Sequence, residues 1–243
     1  MRKATTIAAG MVLAIALSTG AAFGSQAIIE GTNRGEVLRG TPRADTIYAK
    51  GGADLVYGYR GADLIYGGNE AGLGDKVLGG DGKDRLIGQK GHDALYGEGG
   101  DDRVYGERGD DLVAGGPGSD TLSGGPGADE INARDDQKDI VAIRFGEGDV
   151  VYYDKDLDVL KVPVEGPGAG GEGSDLTAPE ASKKGVELSA QAPPEGLFEP
   201  AGKVLVEHGG EQVLVAEEGL ARHLGHGDEI VDPTGRAAEV GSN

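Results

Sequence analysis

Residues 79–132, broken every nine positions, read GGDGKDRLI, GQKGHDALY, GEGGDDRVY, GERGDDLVA, GGPGSDTLS and GGPGADEIN. Glycine, aspartate and an aliphatic residue fall in fixed columns, and the frame extends back to Gly31 with one unit lengthened to twelve residues. Eleven units result, and their eighth column is Leu38, Ile47, Val56, Ile65, Val77, Leu86, Leu95, Val104, Val113, Leu122 and Ile131, apolar in every one. One aliphatic per unit cannot build a globular core. It builds a narrow continuous core if short strands stack so that each aliphatic sits on the one before it. The three residues around each aliphatic then form a minimal strand, centre inward and flanks outward. The six residues before it must turn the chain.

The turn residues have their own chemistry. Glycine fills the fourth column at Gly52, Gly61, Gly82, Gly91, Gly100, Gly109, Gly118 and Gly127, where a tight loop needs positive φ or an approach too close for a Cβ. The sixth column holds Asp45, Asp54, Asp63, Asp75, Asp84, Asp93, Asp102, Asp111, Asp120 and Asp129. Carboxylates and exposed loop carbonyls are oxygen ligands of the kind hard cations prefer. Calcium accepts roughly six to eight of them in irregular geometry, whereas magnesium demands an octahedron. If two units make one coil, the loops alternate between two edges. One edge carries Asp45, Asp63, Asp84, Asp102 and Asp120, the other Asp54, Asp75, Asp93, Asp111 and Asp129. Coils about 4.8 Å apart would set like charges against each other, and a cation between neighbours would turn that repulsion into coordination.

These columns resemble G-G-x-G-x-D-x-U-x, the calcium-binding nonapeptide of the repeats-in-toxin (RTX, hemolysin-type) family. The resemblance implies an all-β fold, a parallel β-roll in which a two-sheet solenoid holds calcium between loops on both edges through aspartate carboxylates and loop carbonyls. Five aspartates per edge leave four gaps on each, hence at most about eight ions in the regular repeats. Some units depart from the pattern. The first has Arg34 in the glycine column and Glu36 in the aspartate column, and the second has Arg43 for glycine, which reads as an N-terminal cap. The loop GGNEAGLGD before Asp75 carries three extra residues and puts Leu73 in the fourth column. A bulged loop is expected there, and it compromises the sites that use Asp75.

Outside the repeats, residues 1–27 combine Arg2 and Lys3, an apolar run from Ile7 to Leu17 and small residues through Ala27, the make-up of a cleavable secretory signal. That run is too short for a comfortable membrane span, and no membrane insertion is expected. The expected division is a signal at 1–27, the β-roll at 28–132, a closing cap at 133–162 that includes Asp149, and a largely disordered acidic tail at 163–243. Within the tail, residues 203–215 alternate on both sides of Gly209-Gly210, suggesting a small hairpin, and 216–224 suit a short helix. With no cysteine there is no disulfide framework, and a net charge of −19 without a basic stripe speaks against nucleic acid.

No catalytic motif is present: neither H-E-x-x-H, nor G-x-S-x-G, nor a phosphate-binding glycine loop. His223 and His226 beside Asp228 are too few for a convincing transition-metal site. The reading is a secreted, non-enzymatic calcium-ion-binding β-roll, with calcium as both cofactor and partner. A second reading is an extracellular adhesion or matrix module presenting Tyr48, Tyr57, Tyr66, Tyr96 and Tyr105, all in the ninth column, or the tail, to a glycan or cell surface. A remnant of a secreted toxin or hydrolase ranks third.

Overall fold

The computed structural model describes residues 26–144, 148–162, 174–177, 180, 185–194, 197–198, 203–208, 211–216 and 229–232. The expected signal segment up to residue 25, most of the 163–184 stretch, residues 217–224, His223 and His226 lie outside the described residues.

All described elements are strands. They run β1 (Ala27–Glu30), β2 (Val37–Arg39), β3 (Asp45–Lys50), β4 (Leu55–Arg60), β5 (Leu64–Asp81) and β6 (Arg85–Gly99). Next come β7 (Arg103–Arg108), β8 (Leu112–Ala114), β9 (Thr121–Ser123), β10 (Glu130–Ala133), β11 (Ile140–Ala142), β12 (Val150–Tyr153) and β13 (Val159–Val162). The tail adds β14 (Ser174–Leu176), β15 (Glu187–Ser189), β16 (Lys203–His208), β17 (Glu211–Ala216) and β18 (Glu229–Asp232).

Strands β1 to β13 and β15 form a parallel β-solenoid of about seven coils, with two ladders that β5 and β6 join by wrapping from one to the other. One ladder stacks Ile29, Ile47, Ile65, Leu86, Val104, Leu122, Val141 and Leu160 in register. The other stacks Leu38, Val56, Val77, Leu95, Val113, Ile131, Val151 and Leu188. Partners in the regular repeats lie two units apart, as the alternation of loops between two edges requires. Nearly all these aliphatics are buried and together form one core cluster. Register, not bulk, makes the core.

The three-residue insertion is absorbed as register shifts around Asn69 and Leu73 within β5, after which pairing resumes at Lys76. In the segment expected to close the roll, β11, β12 and β13 carry on the same parallel ladders. Ile143 and Tyr153 are buried at this end. Antiparallel β14 lies on β13, and parallel β15 on β12.

In the tail, β16 pairs antiparallel with β17 and with β18. Val206, Val215 and Ile230 of this small sheet are buried in one cluster with Leu55, Leu78, Ala94, Tyr96, Leu112 and Ala114, which project outward from the second ladder. This explains why Tyr96 is buried although its column faces out of the roll, whereas Tyr48 on the uncovered ladder stays 39% exposed.

Leu95 sits mid-stack with no exposure. Its replacement by Ala should cost about 2–5 kcal/mol, the range for truncating a packed aliphatic. Urea unfolding of the calcium-loaded chain should show a lower midpoint with an unchanged slope.

Candidate metal centre

The sixth-column aspartates are held by the ladders beside them. Eight of them immediately precede, or begin, a strand, and Asp75 and Asp93 lie within the long strands β5 and β6, so strand register fixes where each carboxylate lies. Along one edge the backbone N–H of Asp45 donates to Asp63 Oδ1 (2.7 Å), Asp63 to Asp84 (2.7 Å), Asp84 to Asp102 (2.7 Å) and Asp102 to Asp120 (2.8 Å). Along the other, Asp54 donates to Asp75 (2.8 Å), Asp75 to Asp93 (2.6 Å), Asp93 to Asp111 (2.8 Å) and Asp111 to Asp129 (2.9 Å). All ten residues named from the sequence are buried, at 2% exposure or less. Asp75 keeps its place in the column despite the insertion before it.

At Asp63, Asp84, Asp93, Asp102 and Asp120 one carboxylate oxygen, Oδ1, is thereby used. The other, Oδ2, is buried and has no hydrogen-bond partner at Asp63, Asp84, Asp93, Asp102 and Asp120. A buried charge left half-satisfied is expensive. Burial pushes Asp63, Asp93 and Asp120 up to about 7, Asp84 to about 6 and Asp102 to about 8. The N–H bond that each receives pulls the other way. The charges of the stacked neighbours push Asp63 and Asp102 further up.

The first-column glycines show what surrounds Oδ2. A Cβ on Gly97 would run into Asp102 Oδ2, from its own unit, and the carbonyl oxygen of Gly115, from the next coil. Gly88 and Gly106 face the equivalent pairs, Asp93 Oδ2 with Gly106 O and Asp111 Oδ2 with Gly124 O. A carboxylate and a carbonyl thus converge where the side chain is missing. No group of three or more His, Asp or Glu side chains that could hold a metal occurs among the described residues. Side chains alone do not form a cage here, and the further oxygens beside the carboxylates belong to the backbone.

The loops themselves are bonded coil to coil. The N–H of Gly100 donates to Pro117 O (2.9 Å) and that of Gly109 to Pro126 O (3.1 Å). Gly100 has φ +127°, and a Cβ there would overlap the Gly82 carbonyl oxygen. The second column also lies in the left-handed region, yet Lys50, Tyr59, Gln89, Glu98 and Glu107 occupy it. Sequence reasoning missed this, because these residues give no composition signal for positive φ.

It also missed two members of the aspartate column. Asp120 N–H donates to Asp139 Oδ1 (2.8 Å), and Asp139 N–H to Asp158 Oδ1 (2.9 Å). Asp139 is fully buried, its Oδ2 lacks a partner, and burial raises it to about 8. On the other edge Asp149 accepts from Asp129 (3.2 Å). The signal was the surviving aspartate-x-aliphatic triplet at Asp139, Asp149 and Asp158, hidden by the change of spacing and the loss of glycine.

The RTX calcium-binding nonapeptide repeat, in four copies, matches residues 31–72, 78–113 and 109–137. Over those residues the columns are those of the RTX repeat, and the fold they build is a parallel β-solenoid. The nonapeptide region of this chain is an RTX repeat region, and repeats of this kind bind calcium generally. No curated protein matches the chain significantly.

Two expectations follow. Gly100→Ala should destabilise by about 3 kcal/mol or more, through overlap and strain together. Gly99→Ala, whose Cβ would meet nothing nearer than Asp81 Oδ1 at 3.6 Å, should be neutral or stabilise by a few tenths to about 1 kcal/mol. Chemical denaturation of the two variants checks the contrast between adjacent positions. The second concerns pH. Carboxylates raised above their ordinary 3.8 mean that the folded chain holds protons the unfolded chain has lost. Metal-free stability is then fully present below about pH 4 and is lost as pH rises through about 6–8. In chelator, circular dichroism should show β-structure appearing on acidification from pH 8 to 5.

Proposed function

We propose that this chain is a secreted, non-enzymatic calcium-binding β-roll, with ions held at Asp45, Asp54, Asp63, Asp75, Asp84, Asp93, Asp102, Asp111, Asp120 and Asp129 and completed by loop carbonyls. The observation that carries the reading is the row of buried carboxylate oxygens without a hydrogen-bond partner at Asp63, Asp84, Asp93, Asp102 and Asp120. A divalent cation supplies what they lack, positive charge in a site stripped of water. The oxygen-only donor set, part side chain and part backbone, suits calcium better than a metal that seeks nitrogen or sulfur.

The ions act by mass action. They bind the folded roll and not the open chain, so calcium draws the equilibrium toward the fold. Extracellular modules bind calcium with dissociation constants of about 10⁻⁴ to 10⁻³ M, which ties folding to export through the signal-like N-terminus. Among the described residues no helix is long and apolar enough to cross a membrane. Carboxylates committed to calcium are withdrawn from proton transfer, which supports a non-catalytic role. A second reading, a module that holds an extracellular glycan, draws support from an open cleft beside Tyr48 and Tyr66. A flat platform of tyrosines is not its basis, because these rings stack on each other at 5.2 Å and 6°.

Far-ultraviolet circular dichroism during calcium titration tests the first reading. β-structure should rise with a midpoint near millimolar calcium and not with magnesium. Asp102→Asn separates the two roles of the carboxylate. It keeps an acceptor for the Asp84 N–H but removes the buried charge, so the variant should be more stable than the parent in chelator and need more calcium to reach full stability. An unchanged calcium midpoint and stoichiometry would sink the assignment at Asp102.

A further inference from the structure

An open cleft of about 880 Å³ lies on the edge that carries Asp54 and Asp75. The irregularities of the repeat meet there: Arg34 from the glycine column of the first unit, Lys50 from the second column, and Asn69 and Leu73 from the inserted loop. The chain has 42 acidic residues against 23 basic ones, yet none of the described residues that line the cleft is acidic. It offers two cations and the amides of Asn33, Asn69 and Gln89. Lys50 pairs with Glu30 at 3.0 Å. Arg34 is exposed and makes no ion pair among the described residues. Tyr48 and Tyr66 form one side, and Ile230 of β18 closes against Gly35 on another.

We propose that this cleft binds an acidic saccharide, a pyranose chain bearing carboxylates, which deepens the glycan reading above and rests on it. The Arg34 guanidinium is a planar fork matched to a carboxylate. Side-chain amides both donate and accept, which suits ring hydroxyls. A peptide fits less well, because extended peptides are captured through free strand edges. The strand walling this cleft has none: β3 is paired on both sides, with β1 and β5, and Asn33 is bridged to Gly51. The net charge of −19 does not forbid an anionic ligand, since charges beyond about 8 Å are largely screened at physiological salt. The groups at the cleft decide.

The test is isothermal titration of the full chain in calcium with a hyaluronan decasaccharide, a neutral N-acetylchitohexaose and an oligoglutamate, with circular dichroism on the same samples. Binding is expected for hyaluronan and for neither of the others. Arg34→Gln should weaken it about tenfold or more, the worth of a charged hydrogen bond. Arg103→Gln, exposed on β7 and outside the cleft, should leave it unchanged. The proposal fails if a chain with its β spectrum intact takes no hyaluronan, binds oligoglutamate equally well, or loses hyaluronan equally in both arginine variants. A chain that shows the β spectrum without calcium would overturn the calcium reading while leaving the cleft test valid.

Discussion

Everything in this roll depends on stacking carboxylates one coil apart inside the structure. Each column aspartate uses Oδ1 to accept a backbone N–H from the coil before it. That task needs an acceptor, not a charge, and Asn would serve. Placing Asp there ten times over instead carries a desolvation penalty, which raises the carboxyls of Asp63, Asp84, Asp93, Asp102 and Asp120 well above their ordinary range. The charge is explained if the second oxygen faces a cation. It is unexplained if the column is only a hydrogen-bond ladder.

The edges and the core are coupled through register. The interior is one aliphatic wide, and Leu86 meets Val104 only while the loops on either side hold their coils at ladder spacing. Repulsion between Asp84 and Asp102 acts on the coils that those aliphatics must close. A roll of this kind therefore cannot keep its core while its edges fly apart. In a stack where each coil contacts only its neighbours, this coupling is passed along the axis.

The nine-residue period made the two ladders, their register and the split of aspartates between two edges legible, because all follow from a repeat that reads i to i+18. Three features were not legible, each for a physical reason. Positive φ in the second column was masked by Lys50, Tyr59, Gln89, Glu98 and Glu107, which accept the strain without announcing it. Asp139 and Asp158 join the column after glycine has gone and the spacing has slipped, since strand pairing tolerates a longer loop where a sequence frame does not. The cover over the second ladder was hidden because its apolar surface, Leu55, Leu78, Ala94 and Leu112, belongs to alternate units, and its partners Val206 and Ile230 lie far along the chain.

A strict repeat leaves few places for recognition. The glycines of column one are closed to side chains by the coil after and those of column four by the coil before, column six is committed to the edge and column eight to the core. Outward residues of one ladder lie beneath β16 to β18. What remains is the open ladder and the units where the pattern breaks. The breaks in this chain converge: Arg34 replaces a glycine, and the insertion ending at Leu73 opens the coil beside it. Substitutions that weaken a stacking repeat are tolerable at its end, where one neighbour is already missing. They are also the ones that give a uniform acidic solenoid a local surface of different charge.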